Sequence, residues 1–166
     1  ISALTVSETH TDVVCAGTAT GTVNLTVSGG TGPYSFLWSN GLTIEDPTAI
    51  AAGAYTVTIT DANSCTGTIP VSVAELFAPL SATTAPINVA CFGGSNGFIN
   101  LTVNGGASPY TYVWSNGGSI QDIGGLSQGT YSVTITDVNN CVATASAIVT
   151  QPNSAVLVTE TNVDLL

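Results

Sequence analysis

The chain of 166 residues has no lysine and no arginine, against ten acidic residues and one histidine. Nucleic-acid binding needs cations to neutralise phosphates, so this composition excludes it. Attraction to an anionic membrane surface fails for the same reason. Ion pairs within the chain are limited to the N-terminus and a protonated His10. Long hydrophobic runs are also lacking: threonine, serine, asparagine and glycine interrupt every apolar stretch before the 18 or so residues a spanning helix requires, so membrane insertion is not expected. No segment of ten or more residues carries a helical stripe. Methionine is absent and no leader is visible, which predicts a piece of a longer, processed chain.

What the sequence does contain is a repeat. "PYSFLWSNG" at 33–41 returns as "PYTYVWSNG" at 109–117, and a shift of 76 residues aligns Cys15 with Cys91, Trp38 with Trp114, Tyr55 with Tyr131, Asp61 with Asp137 and Cys65 with Cys141. A fixed period of this length signals an array of small self-contained domains rather than the layers of a solenoid. The expected units are 1–77 and 78–153, with 154–166 opening a third repeat. Its apolar stretch "AVLVTETNVDLL" also suggests a strand that could pair with another chain.

Inside each unit the apolar period is two. Val23, Leu25 and Val27 share one face, as do Tyr55, Val57 and Ile59, and the second copy repeats both sets. β-Branched residues fill these segments, while clusters such as "SGGTGP" and "TDANS" separate them. The run "PTAIAAGA" is too short and glycine-broken for more than one helical turn. Pro70 suits an edge strand. The fold class is therefore all-β. A tryptophan on an early strand and a Gly-x-Tyr before a late one resemble an immunoglobulin-like sandwich with its tyrosine corner. The short run between Trp38 and Gly53 leaves room for only a reduced sandwich of six or seven strands in each of the tandem domains, with Trp38, Tyr55, Trp114 and Tyr131 in the core.

Four cysteines without C-x-x-C spacing, beside a single histidine, suit disulfides better than zinc. Repetition makes Cys15–Cys65 and Cys91–Cys141 the economical pairing, because each module could then fold before its neighbour exists. A loop of about fifty residues would be stabilised by about 4 kcal/mol in the chain-entropy relation. The alternative joins Cys65 to Cys91 and leaves Cys15 and Cys141 for neighbouring repeats. Either implies an oxidising, extracytoplasmic compartment.

The segment from "VACFGGSNG" through "SPYTYVWSNGG", "GTYSVTITDVNNC" and "AIVTQP" resembles a SprB-type repeat, and the first copy is similar although it reads "CAGTATG" where the second has "CFGGSNG". Such repeats occur in tandem in long surface adhesins of gliding Bacteroidetes. The resemblance implies an extracellular, cell-surface filament exported by type IX secretion, structural repeats, and a link to gliding motility in gliding species.

His10 is replaced by Pro86 in the second copy and reads as a surface or junction histidine, so no catalytic residue and no enzyme is expected. Glu45 and Asp46 read as a solvated turn. The glycines of "GGSNG" at 93–97 lack the following helix a phosphate loop needs and read as a β-turn. Asp61, Asn63, Asp137 and Asn139 supply oxygen ligands that calcium could use, but the same residues form turns. No cofactor is otherwise implied. Asn24 and Asn100 fit glycosylation sequons placed in mid-strand. The expected function is the stalk of an extracellular bacterial adhesin, partnered by neighbouring repeats and by other filament or secretion components. The alternative is a calcium- or carbohydrate-binding adhesive module.

Overall fold

The computed structural model describes residues 3–153. Residues 154–166, where a third repeat and a pairing strand are expected, lie outside the described residues. Twelve strands follow in chain order: β1 (Thr5–Thr11), β2 (Gly21–Ser28), β3 (Ser35–Trp38), β4 (Thr48–Ile50), β5 (Gly53–Thr60), β6 (Thr66–Val73), β7 (Ser81–Ile87), β8 (Gly97–Asn104), β9 (Thr111–Trp114), β10 (Ile123–Leu126), β11 (Gly129–Thr136) and β12 (Val142–Val149). No helix occurs among the described residues. The chain divides into two compact units. The first runs to Leu80 and takes in Gly105–Ala107 and Asn139–Cys141, and the second holds Ser81–Asn104, Ser108–Val138 and the described residues from Val142.

The first unit has one three-stranded sheet in the order β1-β2-β4 and another in the order β3-β5-β6. The pairings between these strands are antiparallel, and an isolated parallel bridge joins Val13 to Glu75. Alternation sends Val23, Leu25 and Ile50 of one sheet and Trp38, Val57, Ile59, Val71 and Val73 of the other into a single apolar cluster, closed by Val13. Two sheets sharing one core in this strand order form an immunoglobulin-like sandwich that lacks the fourth strand of the larger sheet. The second unit repeats the arrangement with sheets β10-β8-β7 and β12-β11-β9, burying Ile99, Leu101, Trp114, Ile123, Leu126, Val133, Ile135 and Val149. Six strands per unit is the lower bound of the sequence expectation. Pro70 lies on β6 and Pro86 on β7, and both are edge strands, where a missing N–H leaves no ladder bond unmade.

The run 47–54 is not a helical turn but supplies β4 and the start of β5. Its period-two signal is broken because β2 pairs Gly21 with Ile50 and Thr22 with Thr48, skipping Ala49 in a bulge. Ala49 accommodates the bulge at φ 57°. In the second unit the skipped residue is Gly125, at φ 70°.

Candidate functional site

Trp38 and Trp114 are each only 2% exposed, and each indole N–H donates to a backbone carbonyl six residues on, Ile44 and Ile120, at 2.9 Å. A sugar-stacking platform needs an open indole face, which neither offers. Tyr55 and Tyr131 are half-buried at the starts of β5 and β11. Their hydroxyls donate to the carbonyls of Ala51 (2.9 Å) and Ser127 (3.0 Å), four residues upstream, as a tyrosine corner does.

The turn between β5 and β6 is organised by Asp61, which is 5% exposed. Oδ1 accepts the N–H groups of Asn63 (2.9 Å) and Cys65 (2.8 Å), while Oδ2 accepts that of Thr31 (3.0 Å). The Cys65 N–H, above all, holds this carboxyl below the usual aspartate range. Desolvation opposes that shift, and the N–H groups of Thr31 and Asn63 reinforce it. Asn63 turns its amide to Thr31 Oγ1 at 3.0 Å. Three N–H donors thus take three of the carboxylate's roughly four acceptor sites, and the constellation holds the turn. Asp137 is buried at the equivalent place, with Asn139 half-buried two residues later. Among the described residues no three acidic, cysteine or histidine side chains gather as a metal site.

Two acidic positions do more than the sequence suggested. Asp46, expected in a solvated turn, accepts the Leu25 N–H at 2.8 Å, and Asp122 accepts that of Leu101 at 2.8 Å. Beyond Thr22 no strand continues the ladder on that side of β2, so the carboxylate takes the place of the missing strand's carbonyl, next to the Val23 N–H bond to Pro47. Period-two reasoning cannot detect such a substitute. On β1, His10 Nδ1 lies 3.0 Å from Glu8 Oε2 and Nε2 lies 3.5 Å from Asp12 Oδ1. The hydrogen bond to Glu8 raises the imidazole pKa, against partial desolvation, with added attraction from Glu8 and Asp12.

The cysteines correct the expected pairing. Cys15 is joined to Cys141, with Cα atoms 5.4 Å apart, and Cys65 and Cys91 are exposed free thiols. Neither Cys15–Cys65 nor Cys91–Cys141 forms, and neither does Cys65–Cys91. The reason lies in strand direction. Cys65 immediately precedes β6, whereas Cys15 follows Val13, whose N–H bonds the Ala74 carbonyl just past the far end of β6. Eight extended residues separate those ends by about 26 Å, far beyond the Cα span of about 7 Å that a disulfide tolerates. Likewise β12 separates Cys141 from the anchor of the Cys91 loop, where Val89 N–H meets the Thr150 carbonyl.

Each cysteine sits in a shaped loop. Around Cys15, the Thr18 N–H returns to the Cys15 carbonyl at 3.1 Å and the Gly17 N–H donates to Glu75 Oε1 at 2.9 Å. Around Cys91, the Gly94 N–H returns to the Cys91 carbonyl at 3.0 Å and the Gly93 N–H donates to Gln151 Oε1 at 2.8 Å. In the hairpins, Ser64 and Asn140 precede Cys65 and Cys141 at left-handed φ values of 66° and 64°.

The chain is similar to several solved structures of low sequence identity. The three N-terminal domains of the outer capsid protein Hoc of bacteriophage RB49 align at 16% identity and a TM-score of 0.41, covering 89% of this chain and 58% of that one. A C-terminal 282-residue fragment of intimin, solved with the intimin-binding domain of its translocated receptor, aligns at 16% identity and 0.43, covering 92% and 65%. An amphioxus IgVJ-C2 molecule aligns at 16% identity and 0.35, covering 88% and 96%. The fold class rests on the strand order rather than on these likenesses. None of the curated proteins matches the chain. The SprB repeat family matches residues 7–43 and 83–119, which in each unit run from the first strand through the tryptophan to the loop beyond it. The family model thus matches the chain twice in tandem, each match spanning the first half of one six-stranded sandwich.

Proposed function

We propose that this chain is a stalk segment of an extracellular, cell-surface bacterial adhesin, in which repeats supply reach and presentation rather than chemistry. The observation that carries the reading is the disulfide between Cys15 and Cys141 within a tandem of SprB-type repeats, because a bond of this kind persists in an oxidising exterior. Supporting it, the conspicuous aromatic and acidic residues are occupied in holding the sandwich: the tryptophans fill cores, and Asp46, Asp61 and Asp122 accept backbone donors. No helix of the described residues is long and apolar enough to cross a membrane. Neighbouring repeats and other filament or secretion components are the partners of this reading. Export by type IX secretion and a connection to gliding belong to its finer form.

The test is surface accessibility. Antibodies raised against the folded segment should label intact cells of the source bacterium, and shaving those cells with a protease that cuts after aromatic or acidic residues should remove the label. Labelling that requires permeabilised cells would sink the proposal.

A further inference from the structure

The free thiols Cys65 and Cys91 are the repeat equivalents of the two cysteines that are bonded: Cys141 is Cys65 one period on, and Cys15 is Cys91 one period back. Their loops are built alike. Cys91 lies in the same anchored turn as Cys15, capped by Gln151 where Glu75 caps the other, and Cys65 follows a left-handed residue in its hairpin as Cys141 does. One loop cysteine and one hairpin cysteine thus already form a bond in this chain, and one of each kind remains exposed.

We propose that Cys91 and Cys65 are complementary linkage sites, Cys91 of one copy bonding Cys65 of a second copy of this repeat pair. The rule is that the loop cysteine of a repeat joins the hairpin cysteine of the repeat that follows it, here supplied by a second chain. Loop-to-loop and hairpin-to-hairpin bonds are not part of it, since the bond that exists is of mixed type. In forming the bond each thiol gives up one proton and one electron. The acceptor is a low-molecular-weight disulfide such as oxidised glutathione: one protein thiolate attacks it and releases a thiol, then the second protein thiolate attacks the mixed disulfide and releases the other. The inference leans on the stalk reading only for its oxidising surroundings.

Cys65→Ser and Cys91→Ser chains, each keeping one of the two exposed thiols, decide the matter when incubated separately and together in a glutathione redox buffer and examined by non-reducing mass spectrometry. The expected result is a mixed dimer joined through Cys91 of the Cys65→Ser chain and Cys65 of the Cys91→Ser chain, about tenfold more abundant than either homodimer. A statistical distribution of homodimers and mixed dimers overturns the proposal, and so does the absence of the mixed dimer. Either negative result leaves the stalk reading standing, because surface labelling of cells is read independently of dimer formation.

Discussion

Replacing Ala49 by glycine should stabilise the first unit, although glycine ordinarily weakens a strand. Ala49 is the bulged residue opposite β2, exposed and held at φ 57°, whereas the second unit places Gly125 at the same point with φ 70°. A left-handed conformation costs a residue bearing a Cβ about 1–2 kcal/mol. Glycine recovers that cost but adds conformational freedom to the unfolded chain, which offsets about 0.4–1 kcal/mol. Because the methyl group is exposed, no apolar burial is lost. The net gain should be about 0.5–1 kcal/mol. For a unit of this size that corresponds to a rise of about 3–6 °C in Tm. Scanning calorimetry would measure it, with Gly125→Ala as the reciprocal variant, expected to lower the second unit's transition. A fall in Tm for Ala49→Gly would mean that the bulge imposes no strain on alanine, and the reasoning would be wrong.

Gly97→Ala should destabilise the second unit by about 1–3 kcal/mol, seen as a lower denaturant midpoint, because the new methyl would lie 2.7 Å from Val149 Cγ1 and 2.8 Å from the Leu126 carbonyl, and overpacking of this kind forces backbone shifts. Asp61 has a folded pKa below its unfolded value, so its contribution is present above the unfolded carboxylate pKa and is lost as pH falls through the folded one. The Tm of the parent chain should therefore drop in acid below about pH 4, while that of Asp61→Asn, lower at neutral pH, should vary less over the same window. Cys15→Ser removes a bridge spanning 126 residues and should cost about 5 kcal/mol against global unfolding in the chain-entropy relation. Equal urea midpoints for the variant and the oxidised parent would show that the bridge constrains the unfolded chain little.

Much of the fold could be read from the sequence because its signals are local. Alternation placed Val23, Leu25, Val57 and Ile59 on inward faces, and the repeat supplied their counterparts. What escaped depends on which ends of the strands meet. The pairing of Cys15 follows only once β6 is known to run away from Cys65 toward Ala74, and economy of repeats pointed the other way. Asp46 escaped because a carboxylate replacing a strand looks, in sequence, like any turn residue. Ala49 hid β4 because a bulge removes one beat from a period of two.

The Cys15–Cys141 bond also fixes which part of the chain can carry tension. A pull applied at residues before β1 and after β12 crosses from Cys15 to Cys141 through sulfur, so the residues between them, across a sequence separation of 126, are bypassed. Those residues include all ten strands from β2 to β11 and both tryptophans. About 430 Å of extensible chain is thereby withheld. Load falls on the ladders that tie β1 to β2 and β12 to β11, and peeling those strands exhausts what force alone can release. Reduction of one bond, rather than greater force, would set the remaining length free.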